Sequence, residues 1–272
     1  MDLTALATHG YAIVEFRVLR FLNEIQSTLN EDFNCAVGDY HRKDVPQTDH
    51  IEFVRRMTQK IENGRAVVNL LRDNIDPLIQ LLGPDIQVQA HPHLRVSRPN
   101  VESDFVDWHR DSFYGNTPWE INVWFPVFPL GTGSGLRLLP GSHRMPSQNV
   151  RDCRDNDSFR TEVKKGSFAH QIGYVYAPKT DDTLAKMKWD DTILLTPNFG
   201  QAILFFGSCI HKAQNLSELT RVSIDVRVKN TYAPTKTRPG YYLPLHRGII
   251  DESASEFSGE KLEPIVSIPA CK

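Results

Sequence analysis

The spacing of apolar residues changes near residue 85, and this change restricts the chain to folds that lay helices against a β core. Upstream, Leu19, Leu22, Ile25, Leu29 and Phe33 recur three and four positions apart, which puts them on one face of a helix. Val67, Val68, Leu71 and Ile75 make a second stripe. A further helix can start at Asp76-Pro77, with Asp76 as N-cap and the proline in the first turn, and Gly83-Pro84 stops it. Downstream, short alternating runs lie at about 86–97, 104–110, 119–128, 135–139, 193–196, 201–207 and 220–228, separated by Gly, Pro, Asn and Asp. The expected fold is α+β: a double-stranded β-helix (a jelly roll, cupin-like) buttressed by N-terminal helices. The 272 residues suit one domain, with a mainly helical part over 1–85 and a jelly-roll core over 86–228. The polar stretch at about 141–192 is expected to be an insertion or lid, and 229–272 a tail of little periodicity.

The totals exclude several classes. A net charge of −2 gives no field that would attract nucleic acid or an anionic membrane. No apolar run approaches the roughly 20 residues a membrane-spanning helix needs. The N-terminal MDLTALATHGYAIVEF lacks a basic region followed by a long apolar core, so no secretory signal is expected. Cys35, Cys153, Cys209 and Cys271 are far apart and make no CxxC pair, which argues against a disulfide framework or a structural zinc site. A cytoplasmic protein, monomer or homodimer, acting on a small molecule at the mouth of its barrel is the expectation.

The segment DWHRDSFYG holds the chemistry. Residues i and i+2 of a strand share a face, so His109 and Asp111 can both point inward from a strand end and supply two corners of a metal site. His211, which ends the apolar strand Ala202–Phe206, is the candidate third ligand. Two histidines and one carboxylate leave three octahedral positions open, as in non-haem Fe(II) oxygenases. His50-Ile51-Glu52 repeats the spacing by chance in a polar helical region. Ten residues past His211, Arg221, Ser223, Asp225 and Arg227 share one parity, and Val222, Ile224, Val226 and Val228 the other. Either this is a surface strand, or its polar face looks inward, where Arg221 and Ser223 would receive a carboxylate. His143 in GSH reads as part of a turn, and His91-Pro92-His93 as strand-end wall. Arg95, on the parity of His91 and His93, could meet an anionic substrate.

The ordered set His109-x-Asp111, EINVWFPVF, GSGLRLLPGSHR, PNFGQAILFFGSCIH and Arg221, over about residues 91 to 228, resembles the phytanoyl-CoA dioxygenase-like family of Fe(II)/2-oxoglutarate oxygenases. HGYAIVEF resembles the opening strand of that family. The resemblance implies that His109, Asp111 and His211 bind iron, and that Arg221 anchors the 2-oxoglutarate C5 carboxylate with help from Ser223. It also implies that Asn122 and Trp124 face the cosubstrate. The implied cofactors are Fe(II), 2-oxoglutarate and O2, with 2-oxoglutarate converted to succinate and CO2. The implied reaction is hydroxylation of an unactivated C–H bond in a sugar, amino acid or secondary metabolite. Halogenating members of the family replace the carboxylate ligand, and Asp111 is present. Inward polar residues, among them Arg95 and Arg227 as substrate contacts, favour a polar or charged substrate. The competing readings are a metal-free or zinc-bound jelly roll that only binds a small acid, and a cupin-type isomerase.

Overall fold

In the computed structural model the described residues are 2–114, 117–145, 183, 186–235, 237 and 240–259. The N-terminal layer contains α1 (Leu3–His9), α2 (Arg20–Phe33), α3 (Gln47–Gly64), α4 (Ala66–Asp73) and α5 (Asp76–Leu82), with β1 (Tyr11–Glu15) between the first two helices. The turn from α1 into β1 needs a left-handed residue, which Gly10 supplies at φ 86°. The strands β2 (Ile86–Gln89), β3 (His93–Ser97), β4 (Ile121–Pro126), β5 (Ser134–Leu138), β6 (Ile193–Leu195), β7 (Gln201–Phe206), β8 (His211–Asn215), β9 (Arg221–Asn230) and β10 (Tyr242–His246) follow, and then α6 (Ile249–Ser258).

Two antiparallel sheets result. The larger runs β1-β7-β4-β9-β2-β10, with β3 also paired to β9, and the smaller runs β6-β5-β8. An isolated bridge from His109 to His211 adds one residue to the open edge of the smaller sheet. From β3 through the bridge to β9 the chain alternates between the sheets except at β5 and β6, which pair as consecutive strands of the smaller sheet, so the core is α+β with a double-stranded β-helix.

The helices decide which way β9 faces. Leu22, Ile25, Leu29 and Phe33 of α2 share one core with Val222, Ile224, Val226 and Val228. That fixes the opposite parity in the space between the sheets. Arg221 is 3% exposed, Ser223 0% and Arg227 4%, which rules out a surface strand. A smaller apolar cluster of Trp124, Leu136, Leu138, Leu195, Ile203, Phe205 and Cys209 lines the same inter-sheet space.

Several expectations are corrected. Asp76 is the first helical residue, with Ile75 in the cap position, so its carboxylate acts in the first turn through the helix dipole rather than as a side-chain cap. The run at 104–110 is not a strand, because a 3-10 turn (Glu102–Asp104) and the single bridge replace it. His211 opens β8 instead of ending the strand before it. The tail holds β10 and α6. β10 pairs with β2, and its alternation is hidden because Tyr242, Leu243 and Pro244 are all only partly buried. Of the expected lid, 141–145 make a turn, and 146–182, 184 and 185 lie outside the described residues. Among the described residues no helix is long and apolar enough to cross a membrane.

Phe33 packs edge-on against Tyr40, Phe53 and Phe128 and is 1% exposed. Phe33→Ala is expected to lower unfolding free energy by about 3–5 kcal/mol in urea titration. A loss below about 1 kcal/mol would show that the helical layer does not hold the sheet.

Candidate metal centre

Backbone pairing brings the two histidines together. The His109 amide donates to the His211 carbonyl at 3.0 Å, and the His211 amide donates back at 2.9 Å. Residues that exchange both bonds point their side chains to the same face, and the imidazole centroids lie 4.3 Å apart. Asp111 is placed by its own amide, which donates to the Gly207 carbonyl at 2.8 Å. One ligand atom from each of His109, Asp111 and His211 lies within 4.8 Å of the others, and all three residues are buried. The trio can hold a metal ion, although Asp111 reaches it from the start of a 3-10 turn (Asp111–Tyr114) and not from a strand.

The hydrogen bonds around the trio fix which atom of each imidazole faces the cation position. His109 Nδ1 lies 2.6 Å from the Asp107 carbonyl and His211 Nδ1 2.9 Å from the Cys209 carbonyl. A carbonyl only accepts, so each Nδ1 carries the proton and each Nε2 keeps its lone pair. Both Nε2 atoms face Asp111 Oδ1, at 3.5 and 3.9 Å. The other carboxylate oxygen, Oδ2, accepts from Asn122 Nδ2 at 2.6 Å and from Arg227 Nη2 at 3.0 Å. Burial by itself would raise the Asp111 carboxyl, but the Arg227 guanidinium and then the two histidines hold it well below the usual carboxylate range. Burial, and next the neighbouring His109, push His211 down to about 4, so that imidazole is neutral near pH 7. Burial opposes the charge on Arg227 too, and Asp111 overcomes it, so its guanidinium titrates well above its ordinary range.

A cavity of about 500 Å³, its open mouth included, adjoins the trio. Trp124, Leu136, Phe205 and Arg221 are among its lining residues. Arg221 donates through Nη1 to the carbonyls of Gly135 (3.0 Å) and Gln214 (2.9 Å), and through Nη2 to Ser97 Oγ (2.8 Å). Its guanidinium carbon is 5.8 Å from the centre of the Trp124 ring. Arg221 Nε and Ser223 Oγ are buried with no hydrogen-bond partner among the described residues. Two orphaned polar groups on one face of a strand fit an acid oxygen supplied by a ligand.

Other candidate residues have further partners in the structure. Asn122 lines the cavity, but its amide is held by Asp111. Arg227 also lines the cavity, with its guanidinium buried against Asp111 and Gln89 Oε1. Arg95 lines the cavity, and its Nε donates to Asp225 Oδ2 at 3.0 Å. His143 stacks on Phe206 with centroids 4.9 Å apart, as part of a turn. His50 is buried against Tyr40 while Glu52 pairs with the exposed Arg55, since i and i+2 diverge on a helix.

Three supports were not foreseen. Gln89 braces Arg227, and Arg98 holds Asp104 through Nε at 2.8 Å and Nη2 at 2.9 Å, tethering the chain ahead of His109. The buried Arg110 donates to the carbonyls of Ser142 (2.6 Å) and Ser208, tying the His109–Asp111 loop to the GSH turn and to the turn before His211. Only Arg110 had a visible signal, an arginine locked between two candidate ligands.

A jelly roll with two histidines and one carboxylate beside a cavity lined by a buried arginine has the donor set of the mononuclear facial-triad class. The profile of the family described as Phytanoyl-CoA dioxygenase (PhyH) matches residues 11–223, and the chain belongs to that family. Similar solved structures include the apo form of ThoJ, a non-heme monooxygenase, at 15% identity over 90% of this chain and 83% of that one, TM-score 0.52. EvdO2 from Micromonospora carbonacea var. aurantiaca is another, at 14% identity over 88% and 94%, TM-score 0.51. At such identities the likeness concerns the fold. No curated protein sequence matches the chain significantly.

Removing the brace on Asp111 should loosen the metal. Arg227→Met is expected to weaken Fe(II) or Co(II) binding about 10- to 100-fold in competitive chelator titration. Unchanged affinity would show that Arg227 serves the fold alone.

Proposed function

We propose that this chain is an Fe(II)/2-oxoglutarate-dependent oxygenase that hydroxylates an unactivated C–H bond of a small, polar molecule. Bound Fe(II) with 2-oxoglutarate and O2 supplies the oxidising power, and 2-oxoglutarate leaves as succinate and CO2. The observation that carries this reading is an intact His109-Asp111-His211 trio beside a buried arginine and serine with unsatisfied polar groups.

The protein's contribution is placement. His109 and His211 present Nε2 lone pairs, and Asp111 presents Oδ1 while Arg227 and Asn122 restrain Oδ2. Arg221 and Ser223 receive the far carboxylate of the 2-oxo acid. The guanidinium is already oriented by the two carbonyls and Ser97, so little ordering remains when the acid arrives. Trp124, Leu136 and Phe205 line the cavity with apolar surface, which excludes water and strengthens these polar contacts. Asp111 occupies the coordination corner that a halogenating enzyme leaves for halide, which favours hydroxylation. A cupin-type isomerase would have no use for an acid receptor next to the metal, and a protein that only binds a small acid would not need the complete ligand trio.

Purified protein with Fe(II), ascorbate and O2 is expected to convert 2-oxoglutarate to succinate, at least slowly without substrate. Arg221→Ala should raise the 2-oxoglutarate half-saturation concentration by about 10- to 100-fold, the range for losing hydrogen bonds to a charged group. Absence of succinate from iron-loaded protein would favour the isomerase or the binding protein, and succinate formation indifferent to Arg221 would show that Arg221 is not the anchor of the acid.

A further inference from the structure

Each aspartate in the cavity wall stands against an arginine. Asp111 pairs with Arg227 at 3.0 Å, Asp104 with Arg98 at 2.8 Å and Asp225 with Arg95 at 3.0 Å. In the loaded oxygenase proposed above, the charge of Fe(II) and that of dianionic 2-oxoglutarate cancel. Arg227 faces a second buried carboxylate, Glu120, at 3.8 Å, whereas Arg221 has none within ion-pair distance among the described residues. A substrate anion therefore needs an arginine whose charge and open donors reach the cavity opening.

The place where a substrate can meet this charge is Arg95. Its side chain is 35% exposed, against 5% for Arg227, which puts it towards solvent at the cavity opening. Nε donates to Asp225 Oδ2, and neither terminal amino group has a hydrogen-bond partner among the described residues. Asp225 cannot swing away, because His93 Nδ1 holds Oδ1 at 3.0 Å. Gln89 Nε2 is 3.3 Å from His93 Nε2, and Gln89 Oε1 accepts from Arg227 Nη1 at 3.2 Å. A continuous run of polar contacts thus links the metal carboxylate to Arg95. In register on β3 and β9, Arg95 stands opposite Ser223 and so beside the cosubstrate position.

We propose that the primary substrate carries an anionic oxygen group, a carboxylate or a phosphate, and that Arg95, steered by Asp225, binds it at the cavity opening. This rests on the oxygenase reading above. Arg95 is the specificity-determining contact, and Asp225 is a positioning residue.

The test uses the full chain loaded with Fe(II) and 2-oxoglutarate. Matched probes differ only in the anion: amino acids against their primary amides, sugar acids against the parent sugars, and sugar phosphates against the same sugars. Two quantities are read for each pair, the thermal stabilisation without O2 and the stimulation of succinate release with O2. The expected result is that response is confined to anionic members, and the acid and phosphate arms identify which group is bound. Arg95→Ala should raise the half-saturation concentration of the responding anion tenfold or more, and Arg95→Lys should recover part of that loss. Asp225→Asn should weaken the anion more than it weakens 2-oxoglutarate. The inference is overturned if neutral members respond as well as anions, if no anion responds, or if Arg95→Ala weakens 2-oxoglutarate and the anion equally. Failure of the wild-type protein to bind iron or turn over 2-oxoglutarate is a separate outcome that removes the oxygenase reading first and the inference with it.

Discussion

Two backbone hydrogen bonds, exchanged between His109 and His211, set the geometry on which the rest of the site depends. About a hundred residues separate these positions, yet the bridge makes their imidazoles neighbours and aims both at Asp111. The surroundings are built to keep that bridge in place. Arg110 clamps the turns on either side of it, and Arg98 fixes the chain that leads into it. The helical layer acts at longer range: by burying the valine and isoleucine side of β9, it turns the opposite side toward the metal site.

Charge on the metal carboxylate is handled by pairing. A buried carboxylate or guanidinium alone would be costly, but Asp111 and Arg227 share hydrogen bonds and stabilise each other's ionised form. That pairing keeps Asp111 anionic whether or not a cation is bound. Arg221 is the contrasting case. Burial, and then the charge of Arg95, push it down to about 9, while the carbonyls and Ser97 hold it in place. The site therefore has an oriented cation waiting for an acid. Preorganisation of this kind reduces the entropy lost on binding and favours one ligand shape over others.

Much of this was legible from residues alone. The change from helical to alternating spacing foretold the layer order, because each period reports which face is buried. The H-x-D pair and the distal histidine foretold the metal trio, since all three are side chains of unmistakable chemistry close to apolar strands. What stayed hidden depends on which atom meets which. Nothing in the parity of Asn122 or Arg227 distinguishes a ligand contact from a brace on Asp111; only the placement of Oδ2 does. The single-residue bridge at His109 is too short to have a period, and β10 pairs along partly buried positions with no clean alternation.

The central claim is that three side chains meet on one cation and leave room for a bidentate acid. X-ray absorption of the Fe(II)-loaded protein with 2-oxoglutarate, kept free of O2, addresses it directly. The account predicts one six-coordinate iron per chain, with scattering from two imidazoles that falls to one in His211→Ala. A spectrum without imidazole scattering, or one indifferent to the loss of His211, would contradict it.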